Sequence, residues 1–112
     1  MVAALHGGAP QPSVDPAEIL KQPLGSRENP VRVGGPKGER AYLARLRCAD
    51  GSQPRFEREG STGKGPWGYI LDAYSVVCPS GQKATVFMDM YHSEHQENGA
   101  VPGFTLDATA QR

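Results

Sequence analysis

Apolar and polar residues alternate in three stretches of the chain, and a period of two marks a half-buried strand. From Tyr69 to Cys78, one parity carries Ile70, Tyr74, Val76 and Cys78, with Asp72 among them. From Lys83 to Tyr91, it carries Ala84, Val86, Met88 and Met90. Pro79-Ser80-Gly81-Gln82 lies between them and has turn chemistry, so a β-hairpin is expected over residues 69–91. From Arg40 to Cys48, Tyr42, Ala44, Leu46 and Cys48 share a parity. The Glu, Arg, Ala and Leu residues of this stretch also suit a helix. Strand is preferred, because Ala49-Asp50-Gly51-Ser52 then reads as the tight turn that closes it. Val31 to Val33, between Pro30 and Gly34-Gly35-Pro36, adds a short edge strand.

The two ends are less regular. Asp15 suits a helix cap, Pro16 the first helical position, and Glu18 follows the cap by three. Ile19 and Leu20 supply an apolar side and Pro23 ends the run. Under two turns long, such a helix persists only if it docks. Val101, Phe104 and Leu106 are the apolar anchors of an extended C-terminal arm. The expected organisation is a leader with a short helix over 1–24, a single small domain over 25–107 and a frayed tail over 108–112. The expected fold class is α+β leaning all-β: a small antiparallel sheet of three to four strands, one short N-terminal helix and long Gly/Pro-rich loops.

Composition narrows this further. The chain has 112 residues, the size of one ordinary domain. Val, Leu, Ile and Phe make up only about 18% of it, a level that signals disorder when net charge is also large. Here 12 basic residues balance 12 acidic ones, so the net charge is zero. That argues for a small folded core and against bulk attraction to nucleic acid or an anionic membrane. No apolar run is long enough for a membrane span. The charge is unevenly placed: residues 27–64 are net basic and residues 65–112 net acidic. The two halves are expected to complement each other across the sheet.

Cys48 and Cys78 each end an expected strand and each precede turn residues. With two cysteines and none left over, pairing in an oxidising compartment is the preferred reading. The chain-entropy relation values this closure at roughly 3.5–4 kcal/mol. The N-terminus has no basic region followed by an apolar core, so an export signal is presumed removed. The expected location is periplasmic or secreted, with the cytoplasm as the alternative.

Candidate chemistry is sparse. Gly60 to Gly68 invites comparison with a phosphate loop. Its spacing is wrong, Gly65 stands where Ser or Thr is required, and Pro66 spoils the helix start. It reads as a mobile loop, with Trp67 and Tyr69 bracketing Gly68 at its end. Asp89, Tyr91, His92, Glu94, His95 and Glu97 form the densest polar run and read as a solvated rim loop. The HxxH spacing alone assigns no metal, and no cofactor is assigned. Asp72 lies on the core parity and requires a partner, for which Arg45 or Arg47 is expected. The candidate ligand or polar site is therefore Asp72, Asp89, Tyr91, His92, Trp67, Arg45 and Arg47.

No complete catalytic constellation emerges. The leading reading is an exported, disulfide-stapled, non-catalytic binding or accessory module for a protein or small ligand. On that reading His92→Ala leaves stability nearly unchanged. One alternative is a small hydrolase using Asp72, Asp89 and His92. Another, disfavoured by the neutral charge, is a single-stranded nucleic-acid binder using Arg45, Arg47 and Trp67.

Overall fold

A computed structural model describes residues 11–107. The first ten residues of the expected leader and the frayed tail expected over 108–112 lie outside them. In chain order the elements are α1 (Pro16–Ile19), β1 (Val31–Arg32), α2 (Gly35–Arg45), β2 (Leu46–Arg47), β3 (Arg55–Lys64), β4 (Ile70–Val77), β5 (Lys83–Asp89) and β6 (Thr105–Leu106). Four strands form one sheet in the order β1-β5-β4-β3, and β2 pairs with β6 in a second, two-stranded sheet. This is an α+β architecture leaning to β.

The hairpin is β4 and β5, antiparallel, with Asp72 opposite Met88 and Val77 opposite Lys83. Its turn rests on Gly81, whose φ of 99° suits a residue without Cβ. The expected edge strand is β1, but it runs parallel to β5, with Val31 beside Met88. The sheet is therefore mixed rather than wholly antiparallel. Gly34-Gly35-Pro36 sends the chain out of the sheet into a helix instead of a hairpin.

That helix, α2, corrects the strand expected over 40–48. Glu39, Tyr42 and Leu43 are buried on it, with Leu46 just past its end. The spacing of three, four and seven is a helical stripe. Pro36 in its first turn needs no N–H partner there. Only Leu46–Arg47 becomes strand, against Thr105–Leu106 of the C-terminal arm. Val101 and Phe104, at 6% and 8% exposure, anchor that arm as expected.

The second correction is β3. Gly60 to Lys64, the first part of the expected glycine loop, continue a ten-residue strand, and residues 65–68 form the turn after it. Its alternation is hidden because only Phe56 is a large apolar residue, and the strand lies at the sheet edge. Register shifts between Arg58 and Gly60 and between Ser61 and Lys64 break its ladder with β4. Charges and bulges of this kind discourage pairing with another chain.

Strand alternation divides the sheet into two faces. One carries Tyr74, Val76, Val86 and Met88, packed with Tyr42, Leu43 and Leu46 in the main core. Ile70 shares this parity but is 45% exposed at the strand end, contrary to its expected core position. The opposite face carries Leu71, Ala73 and Phe87. The leader covers part of it. Ser13 N–H donates to Pro66 O at 2.8 Å, Phe87 N–H donates to Gly25 O at 2.8 Å, and the Arg27 guanidinium sits 5.5 Å from the Phe87 ring centre. In α1, Asp15 accepts from Ala17 N–H and Ile19 is buried, so the short helix is docked.

Cys48 and Cys78 are joined, with Cα atoms 6.1 Å apart. Each cysteine heads the same turn. Cys48 N–H donates to Ser52 O and Cys78 N–H to Gln82 O, while Gly51 and Gly81 donate back to the cysteine carbonyls. The Gln82 side chain ties these turns together. It accepts from Ala49 N–H at 3.1 Å and donates to Gly103 O at 2.7 Å.

Candidate functional site

Beyond β5 the chain stays clamped against β1. Val33 N–H donates to Asp89 O, Gly35 N–H to Met90 O, and His92 N–H to Val33 O, all within 2.8–2.9 Å. The segment expected to be a solvated rim is thus fixed through His92. His92 is 8% exposed and Asp89 is fully buried.

Four rings meet here. Tyr69, just before β4, stacks on Tyr91 with centres 4.9 Å apart and planes inclined by 22°. The His92 ring stands edge-on to Trp67 at 5.6 Å and to Tyr69 at 5.5 Å. The Arg32 guanidinium lies 4.5 Å from the centre of the Trp67 ring, within cation–π range. Tyr91 keeps 49% of its surface exposed, so the stacked tyrosines present a ring face to solvent.

Beneath them, His92 Nε2 lies 2.9 Å from Asp89 Oδ2. Neither atom makes a directed hydrogen bond, so the contact is off-axis. Asp89 Oδ1 accepts from Tyr91 N–H at 3.2 Å. Trp67 Nε1 is buried and has no hydrogen-bond partner among the described residues.

Asp72 belongs to the other face. It lies opposite Met88, one residue before Asp89, so alternation turns the two carboxylates to opposite sides of the sheet. Asp72, Asp89 and His92 therefore do not converge as a hydrolase site would require. Nor is Asp72 paired with Arg45 or Arg47. Its partner is Arg58 of the neighbouring strand, at 2.8 Å. Arg58 lies opposite Tyr74, diagonal to Asp72, within reach of a long side chain.

Glu39 of α2 completes this second cluster. It is 1% exposed, and Tyr74 Oη donates to its Oε1 at 3.1 Å. Burial, reinforced by the adjacent Asp72 carboxylate, pushes Glu39 up to about 7. Burial also pushes Asp72 upward. Hydrogen bonds from Arg58 and Glu39 outweigh that and hold it below the usual carboxylate range. Burial, followed by the neighbouring Glu39, raises Tyr74 to about 12. Glu39 Oε2 is buried and accepts no hydrogen bond. A proton on that oxygen, donated toward Asp72, satisfies it, since two adjacent carboxyls cannot readily both ionise.

Arg45 and Arg47 stand apart from both clusters. Arg47 donates to Ala44 O and Leu46 O and pairs with Asp107 at 3.0 Å. Arg45 is 8% exposed and reaches only Glu97 O, at 3.3 Å. With both guanidiniums turned inward, they do not form an open cationic groove with Trp67. His95 faces Glu97 at 3.2 Å while His92 faces Asp89, so the two HxxH rings diverge. Among the described residues no group of three His, Cys, Asp or Glu side chains is placed to hold a metal ion.

Of the residues singled out from sequence, the structure joins Trp67, Asp89, Tyr91 and His92. It adds Arg32, Arg58 and Glu39 to the two clusters. The signal that could have found Glu39 is its helical spacing to Tyr42 and Leu43. Arg32 and Arg58 carried no comparable signal, because their roles depend on strand neighbours. Comparison with family models, curated proteins and solved structures finds no match to this chain.

Proposed function

We propose that this is a small exported domain, stapled by one disulfide, that binds a protein partner without catalysing a reaction. The observation that carries the reading is the stacked pair Tyr69 and Tyr91, open to solvent on its Tyr91 side. Trp67 and Arg32 lie in the same cluster. Tyr, Trp and Arg are the residue types that dominate binding hot spots, because they bury large rigid surface while keeping a polar end. Ile70, next to Tyr69 in the chain, is also exposed.

The titratable groups below the tyrosines support binding over acid–base chemistry. Asp89 and His92 face each other and are enclosed, whereas a general acid or base must reach its substrate. The compartment rests on the disulfide, since such bonds persist chiefly in oxidising environments.

The test is paired capture from an envelope extract of the native cell, with wild-type protein and Tyr91→Ala as baits. Lys83→Ala, on the exposed hairpin end, serves as control. A stoichiometric partner retained by wild type and control but lost by Tyr91→Ala supports the reading. Equal retention by all three baits, or recovery of the chain from the cytosol with free thiols, overturns it.

A further inference from the structure

A groove of about 260 Å³ runs between α2 and the segment 93–97. One wall is a stripe along the helix: Gly34, Gly38, Ala41 and Arg45. The other wall holds Ser93, His95 and Glu97. The small residues on the helix keep this wall low. Gly34 also lets the opposite backbone approach, since a Cβ there would lie 2.8 Å from Ser93 Cα.

Arg45 is the unusual group. It is 92% buried, by its 8% exposure, yet no carboxylate lies within salt-bridge distance of its guanidinium among the described residues. Among the described residues its guanidinium donates to the Glu97 carbonyl, and its Nε has no partner. The Glu97 carboxylate is engaged elsewhere, with His95 Nε2 at 3.2 Å and Gly99 N–H at 3.3 Å. An enclosed cation without a counter-charge is costly unless something supplies one. A guanidinium presents a planar fork of donors that matches an oxyanion.

We propose that this groove binds a small oxyanion, a carboxylate or a phosphate, with Arg45 as its counter-ion and His95 beside it. The volume suits a compact anion of a few heavy atoms rather than a drug-sized ligand. None of the rings of the tyrosine cluster lines the groove, and its occupancy does not depend on a protein partner.

The test is titration of the isotope-labelled full chain with sodium phosphate and with sodium succinate, at ionic strength held constant with chloride. The readout is the backbone amide resonances. Saturable shifts confined to residues 33–45 and 93–97 are expected, and the tighter of the two probes identifies phosphate or carboxylate chemistry. Arg45→Gln should lose at least tenfold in affinity. Should that variant not fold, Ala41→Glu decides. It sets a carboxylate one helical turn before Arg45, and should likewise lose at least tenfold while raising the unfolding temperature. Non-saturating shifts, shifts scattered over surface lysines and arginines, or unchanged affinity in Ala41→Glu overturns the proposal.

Discussion

The Glu39 carboxyl makes the stability of this fold depend on pH in a direction opposite to that of most buried carboxylates. Its affinity for a proton rises on folding, from 4.5 to about 7, through burial and the facing Asp72. Between those values the folded state holds a proton that the unfolded state has released. Unfolding then becomes easier as pH rises, because stability falls wherever the native state binds more protons. At about 1.4 kcal/mol per tenfold change in proton affinity, the protein should be roughly 3 kcal/mol less stable at pH 8 than at pH 4.5 on this account alone. Asp72 acts in the opposite sense and in another window. Its lowered proton affinity gives stability that is present above about pH 4 and lost on further acidification. Glu39→Gln removes the first effect and keeps the second. The introduced amide can still accept from Tyr74 and donate to Asp72, but it does not titrate. The variant should match wild type near pH 4.5 and exceed it by roughly 2–3 kcal/mol at pH 8. Urea unfolding at half-unit pH intervals, followed by the fluorescence of the single tryptophan, measures this difference. Contributions from all other groups are common to both proteins and cancel in the comparison. Parallel stability curves for the two proteins from pH 4.5 to 8 would refute the carboxyl pair.

Four further outcomes follow from the same geometry. Replacing both Cys48 and Cys78 by Ala should cost about 3.5–4 kcal/mol in urea unfolding, and an unchanged midpoint would show that the bond constrains little. Asp72→Asn should cost about 1–3 kcal/mol at pH 6, since it removes the charge facing Arg58 and leaves one oxygen where two serve Arg58 and Glu39. Arg58→Ala should cost about 1 kcal/mol or less, because the arginine side chain is half exposed. His92→Ala should lower stability by about 2–4 kcal/mol, as it opens a space beside Trp67 and removes the ring that faces buried Asp89. The last reverses the expectation from sequence that His92 is dispensable for folding, and calorimetry with an unchanged unfolding temperature would restore it.

The parts legible in the sequence are those whose neighbours are close along the chain. The β4–β5 hairpin shows in its alternation and its Pro-Ser-Gly-Gln turn, and α1 shows in its Asp-Pro start. The disulfide shows in two cysteines that each precede a turn. Helix α2 was ambiguous because Tyr42, Leu46 and Cys48 satisfy a period of two, while Glu39, Tyr42, Leu43 and Leu46 satisfy a period near 3.6. A carboxylate in the helical stripe hid the second pattern. Strand β3 was invisible for a different reason. Its residues are polar and glycine-rich, and its strand state is imposed by pairing with β4 rather than by its own propensity. The same limit applied to the site. Tyr91 and His92 stood out as chemistry, but only the clamp of residues 89–92 against β1 turns His92 inward and leaves Tyr91 outside.

The polar residues inside this sheet act on register as much as on stability. A chain with so few large aliphatic side chains defines its strand alignment weakly by apolar contacts alone. Asp72 and Asp89 lie one register position apart and face opposite sides of the sheet, and each is satisfied only where it stands. Asp72 requires Arg58 from β3 and Glu39 from α2 together, so it ties three elements through one carboxylate. Asp89 requires the His92 ring and the Tyr91 N–H, so it ties the end of β5 to the segment that carries the exposed tyrosine. A slip of one residue in β4 would take Asp72 away from Glu39 and toward the face of Leu71 and Ala73, where no cation among the described residues is paired with it. The penalty for an unpaired buried carboxylate is several kcal/mol, comparable to a good part of the stability of a domain this size. Misaligned pairings are therefore excluded by unsatisfied charge.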